Sequence, residues 1–308
     1  MTTLLVHHPC FLEHVNPIGH PERPDRLRAL DRVLEDERFQ LLARVEAPSG
    51  DREMLCAGHP EAYIDTIAAA APSEGLIRID ADTTMSPGSW EAAVRAVGGA
   101  CHAVDEVVQG LAKNAFCALR PPGHHAEADR AMGFCLFNSA AIAARHAQRK
   151  WGLERVAIID FDVHHGNGTQ DIFYNDPTVF YGSTHQMPLY PGTGARSETG
   201  AGNIVNAPLR PDDGGDAFRA AMNEVVLPRL SSFKPDLVIV SAGFDAHFLD
   251  PLAQLNLDAP DFDWITRKLM DVADSCCDGR LVSVLEGGYD LQGLSVSAAA
   301  HIDALMTG

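Results

Sequence analysis

The chain has 308 residues, 46% of them hydrophobic and 21% charged, an ordinary globular composition. Its formal net charge of -18, with no basic cluster to offset it, repels phosphate backbones and argues against nucleic acid as a partner. No run of about 18 apolar residues is present to span a membrane. The opening MTTLLVHHPC does not lead from a basic stretch into an apolar core, and the seven scattered cysteines lack CxxC spacing; both features fit a cytoplasmic protein with reduced thiols.

Taken in chain order, the apolar run TLLV (3–6) is followed by helical patterns over 24–38 and 89–110. Then come the run AFCAL (115–119), a helix over 138–151, and the runs RVAIID (155–160) and TVFYGS (178–183). A helix over 214–232, the run DLVIVSA (236–242), a helix over 260–277 and the run LVSVLE (281–286) complete the pattern. Runs apolar on both faces and separated by helices indicate parallel strands covered on both sides. Pro and Gly are not gathered into a linker and no repeat occurs. Residues 1–308 are therefore read as a single α/β domain, a central, mostly parallel sheet with helices on both faces.

In such sheets ligands bind beyond the carboxyl ends of the strands. Here AFCAL runs into RPPGHH, RVAIID into FDVHHGNGT, TVFYGS into THQMPLYPGTG, DLVIVSA into GFDAH, and LVSVL into EGGYD. Five strand exits thus carry nearly all the reactive side chains, which predicts one composite site.

On an extended strand side chains alternate faces, so Asp160, Asp162 and His164 are expected on one side. Asp162, His164 and Asp245 would form a one-nitrogen, two-oxygen site with open positions, as catalytic zinc sites have. Ligand chemistry alone equally admits Fe(II), Co(II) or Mn(II). The adjacent His124 and His125 are better suited to proton handling than to ligation, because the open position is needed for water and a base must stand beside it. Asp160 and Asn167 are available to fix their tautomers. Tyr289, after two glycines, could donate to an oxyanion opposite the metal. His7-His8 has no comparable setting.

The segments GHPERPDRL, RPPGHHAE, MGFCLFN, DFDVHHGNGT, LYPGTG, SAGFDAH and LEGGYDL, spanning 19–291, together resemble the histone deacetylase superfamily, which includes acetylpolyamine amidohydrolases. HPERP and Asn167 are closer to its class II branch. The resemblance implies an arginase/deacetylase-like fold and zinc-dependent hydrolysis of an N-acyl amine such as acetyl-lysine or a small acylated amine. It assigns Asp162, His164 and Asp245 to the zinc, His125 to the general base with Asn167 as its partner, and His124 with Asp160 to an electrostatic pair. Tyr289 falls on the transition-state tyrosine. Gly133, Phe134, Tyr190 and Leu252 fall on the substrate tunnel, Tyr190 where the family usually has phenylalanine. Leu252 stands where polyamine-selective members carry a glutamate. Arg23 falls on an arginine guarding an acetate channel. Potassium is implied at an inner position by Asp160, Asp162, His164, Ser183 and Thr184, and at an outer one by carbonyls near Phe173, Asp176 and Val179. Two other readings are a two-metal ureohydrolase, which needs more carboxylates, and a metal-bearing module without turnover. The residues leave oligomeric state open.

Overall fold

The computed structural model describes residues 2–308. Strands β1 (Thr3–His7) and β2 (Ala43–Glu46) precede a short antiparallel hairpin of β3 (Ile77–Arg78) and β4 (Thr84–Met85). Then follow β5 (Asn114–Cys117), β6 (Val156–Asp160), β7 (Val179–Gln186), β8 (Ile204–Leu209), β9 (Leu237–Ala242) and β10 (Leu281–Leu285). Eight of these form one sheet in the order β2-β1-β5-β10-β9-β6-β7-β8. Every pairing in it is parallel. The central strands are buried along their whole length, which is why they read as continuous apolar runs rather than alternating ones.

The helices are α1 (Asp25–Val33), α2 (Arg52–Leu55), α3 (Glu61–Ala70), α4 (Ser89–Val108), α5 (Ser139–Trp151), α6 (Asn167–Phe173), α7 (Gly215–Ala221), α8 (Leu227–Phe233), α9 (Ala259–Cys277) and α10 (Leu291–Thr307). Two groups pack on the sheet: α4 with α5, and α1 and α8 with α9 and α10. Helix ends follow local chemistry. Asn138 caps α5 by accepting from Ala141 N at 3.0 Å, Asp258 and Asp261 form a reciprocal capping box on α9, and Asp290 caps α10 through Gly293 N at 2.7 Å.

The differences from the sequence reading have identifiable causes. Strands β2 and β8 lie at the two edges of the sheet; one alternates exposed charged residues and the other carries Pro208, so neither shows an apolar run. The expected helix 214–232 is interrupted by a π-helical turn at Met222–Val226, just before Pro228, which has no N–H to continue the ladder. The terminal helix α10 packs against both α1 and α9, so its Ala- and Ser-rich sequence has little amphipathic contrast. No helix among the described residues is long and apolar enough to cross a membrane.

The sheet order places the reactive strand exits side by side. β5, β10, β9 and β6 are four consecutive neighbours, and β7 is the next. Their carboxyl ends lead to His124-His125, Tyr289, Asp245, Asp162 with His164, and Tyr190 respectively.

Candidate active site

The strand β6 stops at Asp160, so Asp162 and His164 sit in the turn beyond it rather than on an extended edge. The turn is held by the carboxylates themselves: Asp160 Oδ1 accepts from Asp162 N at 3.1 Å, Asp162 Oδ1 from His164 N at 2.9 Å, and Asp245 Oδ1 from Val163 N at 2.8 Å. What is left over converges. His164 Nδ1 lies 3.1 Å from both Asp162 Oδ1 and Asp245 Oδ2. One ligand atom from each of the three buried residues lies within 4.8 Å of the others, the one such His/Cys/Asp/Glu cluster among the described residues. Gly287 closes the site from the β10 side by donating its N–H to Asp162 Oδ2 at 2.8 Å. A Cβ there would fall 2.1 Å from Asp245 Oδ2, so the approach requires glycine.

The RPPGHH loop is fastened from below. The guanidinium of Arg120, fully buried, donates to Glu22, to Phe11 O at 2.6 Å and to His14 O at 3.0 Å. Glu286 Oε2, at the exit of β10, accepts from Gly123 N at 2.7 Å and His124 N at 3.1 Å. The two imidazoles then face different partners. His124 Nδ1 is 3.0 Å from Asp160 Oδ2. Burial opposes a charge on His124, but the carboxylates of Asp162, Asp160 and Glu286 outweigh it and hold its pKa well above the usual value.

His125 Nδ1 is 2.8 Å from Asn167 Oδ1. The Asn167 amide is oriented by its nitrogen, which donates to Glu127 Oε1 at 2.7 Å. An amide oxygen only accepts, so His125 Nδ1 carries the hydrogen and Nε2 keeps its lone pair. Burial, and then the neighbouring His124 and His164, push the His125 pKa well down, so the ring is neutral at rest. Tyr289 is also buried, and burial raises its hydroxyl well above the usual phenol range, which keeps it a proton donor.

A cavity of about 220 Å³ opens above these groups, lined by His125, His164, Tyr289, Gly133, Phe134, Tyr190, Leu252, Leu189 and Asp82. The Phe134 ring meets Tyr289 edge-on at 5.7 Å, and Tyr190 meets His125 edge-on at 5.2 Å. Phe134 takes a positive φ of 68°, rare outside glycine and here part of the cavity wall. Asp82 and Leu189 were not singled out from the sequence; Asp82 lies in the turn of the short β3–β4 hairpin, outside the main sheet, and its Oδ1 accepts from Gly133 N at 3.1 Å. Glu286 and Asp250 were likewise missed. Asp250 Oδ2 accepts from Tyr289 N at 2.7 Å and Asp290 N at 3.2 Å, fixing the loop that carries the tyrosine.

One assignment needs correction. Arg23 is half-exposed and pairs with Asp25 at 3.5 Å, away from the buried interior. The guanidinium behind the tyrosine loop belongs to Arg26, which donates to Gly288 O at 2.6 Å and Glu286 O at 2.5 Å and lies 4.9 Å from the centre of the Tyr289 ring. The helix α1 starts only at Asp25 and turns Arg26, Leu27 and Leu30 inward, leaving Arg23 outside.

Of the residues expected around an inner cation, Asp160 and Ser183 are ladder neighbours on β6 and β7. Ser183 Oγ is 2.9 Å from His185 Nδ1, and His185 Nε2 is 3.0 Å from Gly194 O. Because that carbonyl can only accept, His185 Nε2 bears the hydrogen and Ser183 donates to Nδ1, leaving its oxygen lone pairs free. His8 caps a 3₁₀ turn, accepting from Cys10 N at 3.1 Å, and its Nε2 lies 3.9 Å from Glu46 Oε2.

The sequence pattern of the histone deacetylase domain matches residues 20–305. The chain belongs to the histone deacetylase family. As a member of this family it is a hydrolase of amide bonds. It is similar to a probable deacetylase of Archaeoglobus fulgidus, 40% identical with 100% of this chain and 87% of the relative covered. It is also similar to the histone deacetylase-like amidohydrolase of Pseudomonas aeruginosa, 41% identical over 88% of this chain and 73% of that protein. Among solved structures it resembles the HDA15 HD domain, with a TM-score of 0.94 at 36% identity, covering 99% of this chain and 88% of the other. The family fold is thus the one observed, an eight-stranded parallel sheet between helices.

Proposed function

We propose that this protein is a zinc-dependent deacetylase of a primary amine carried on a thin stem, acetyl-lysine or a small acylated amine. The observation that carries the reading is the bare Nε2 of His125 beside the Asp162, His164 and Asp245 cluster at the floor of a narrow cavity. The three residues fit a divalent ion: each is buried, each keeps a lone pair after its other hydrogen bonds are counted, and no cysteine is involved. When bound, zinc would supply Lewis acidity to water and to the acyl carbonyl.

The chain's own residues do the rest. His125 takes a proton from the attacking water at Nε2 while Asn167 steadies Nδ1–H. The Tyr289 hydroxyl donates to the oxyanion as the carbonyl carbon becomes tetrahedral. The C–N bond then breaks, and the proton held by His125 passes to the leaving amine. His124, charged against Asp160 and Asp162, offsets the negative charge of the site. Gly133, Phe134 and Tyr190 confine the stem and exclude water. Ser183 and Asp160 would hold an inner potassium ion that braces the turn after β6. Seven free thiols suit a reducing, cytoplasmic compartment.

A fluorogenic acetyl-lysine substrate tests this. Turnover should vanish with a chelator, return with Zn²⁺, and fall at least 100-fold in Tyr289→Phe and Asp245→Ala with the fold retained. Chelator-resistant turnover, or unchanged rates in both variants, would sink the scheme. The Asp82 carboxylate at the cavity rim favours a second reading, an acylated polyamine whose remaining ammonium rests there. Comparing kcat/KM for acetyl-lysine peptides and acetylated polyamines separates the two.

A further inference from the structure

The carbonyls implied for an outer potassium ion do converge, but on a side chain. Asn203 Nδ2, with two hydrogens to give, faces Phe173 O at 2.9 Å, Asp176 O at 3.0 Å and Val179 O at 2.8 Å, one N–H being shared between two of the three carbonyls. Asn203 is buried, between the loop after α6 and the start of β8. Two of these oxygens already accept one backbone hydrogen bond each, from Asp176 N at 3.1 Å and Val179 N at 3.2 Å, so their second lone pairs are the ones aimed at Asn203.

The amide orientation follows from its surroundings. Ala201 N donates to Asn203 Oδ1 at 3.0 Å. Reversing the amide would set its oxygen against three carbonyl oxygens and its NH₂ against an N–H, losing every one of these bonds. Positive φ at Gly200 (53°) and Gly202 (89°) bends the loop tightly enough to deliver the side chain, and Tyr181 N donates to Asn203 O at 3.0 Å to anchor it on β7. Nor does free negative charge remain to draw an ion in. The Asp176 carboxylate is paired with Arg145 at 2.5 Å, and that guanidinium lies 4.7 Å from the centre of the Phe173 ring.

The residues present therefore do not fit an outer cation. We propose that the Asn203 amide takes the place of that ion, tying the end of α6 to the β7–β8 edge with a built-in donor. The protein then needs no monovalent ion at this position for stability. The proposal is independent of the catalytic reading above, since none of these groups touches the cavity.

Two measurements test it. Crystals of the wild-type protein soaked in thallium(I), an anomalous scatterer that mimics potassium, should show no anomalous peak among the Phe173, Asp176 and Val179 carbonyls; a peak there would overturn the proposal. The isosteric Asn203→Asp change puts an anionic oxygen against those carbonyls, so the cradle should then require a cation. The rise in Tm on replacing choline chloride with potassium chloride at fixed ionic strength should be at least threefold larger in Asn203→Asp than in the wild type. An equal potassium-dependent rise in the two proteins would show that the amide does not stand in for an ion. Should the variant fail to fold in either salt, the wild-type thallium experiment still decides.

Discussion

At the scale of single residues, the division of labour within RPPGHH rests on two acceptors. Asp160 faces His124 and a neutral amide, Asn167, faces His125. The neutral partner fixes the tautomer of His125 without stabilising its protonated form as a carboxylate would. Asn167→Asp should therefore raise the His125 pKa and move the acidic limb of the kcat/KM profile up by about one pH unit. A profile measured from pH 5 to 9 checks this, and an unmoved limb would mean that His125 is not the titrating base. The residue types and spacings of this site were legible in the sequence because each sits on a strand exit. Arg23 was misread because a motif does not reveal where a helix begins, and the start of α1 at Asp25 turns Arg26 inward instead.

Secondary-structure elements bring these residues into register, and Glu286 shows how. It lies at the end of β10 and reaches the neighbouring β5 loop through Gly123 N and His124 N, and β9 through Ser241 Oγ at 3.1 Å. Burial raises its pKa to about 7. Glu286→Ala orphans two buried N–H groups and should cost about 2–4 kcal/mol. A lower urea midpoint at unchanged m-value would register it, and a midpoint equal to the wild type would show that the loop does not depend on this carboxylate. The central strands were legible as apolar runs. The edge strands β2 and β8 and the terminal α10 were not, since an edge strand lacks a fully apolar pattern and a helix buried on several sides lacks a polar face.

Across the whole molecule, several buried histidines fold in the neutral form, among them His59, His185 and His301. His59 accepts from Asn138 N and faces Ala128 O, both at 3.0 Å, while His301 lies between Thr266 Oγ1 at 2.6 Å and Ser283 Oγ at 2.8 Å. Burial lowers His59 and His185 to about 4 and His301 to about 3 from an ordinary value of 6.5. Between those values each of these rings binds more protons in the unfolded chain than in the folded one, so its own contribution to stability rises with pH across the window. It is fully present above pH 6.5 and is lost as pH falls toward 4, by up to about 1.4 kcal/mol per pH unit for each histidine. The fall in urea midpoint from pH 7 to pH 5 should be smaller in His301→Gln than in the wild type; an equal fall in the two proteins would contradict the neutral burial of that ring.

The sequence by itself determined which reactive side chains the chain carries and where they lie along it: Asp162, His164, Asp245, His125 and Tyr289, each attached to a strand end. It could do so because strands buried on both faces leave an apolar signature, and reactive residues stand out where that signature stops. Tertiary structure decided which exits are neighbours, since the order β5-β10-β9-β6 is a matter of crossover connections that no local pattern encodes. It also decided the contacts between distant segments: Arg26 behind Tyr289, Asp82 at the rim, and Asn203 on three carbonyls that lie 24 to 30 residues before it in the chain. Such contacts depend on how elements pack in three dimensions, and spacing along the chain carries no record of that.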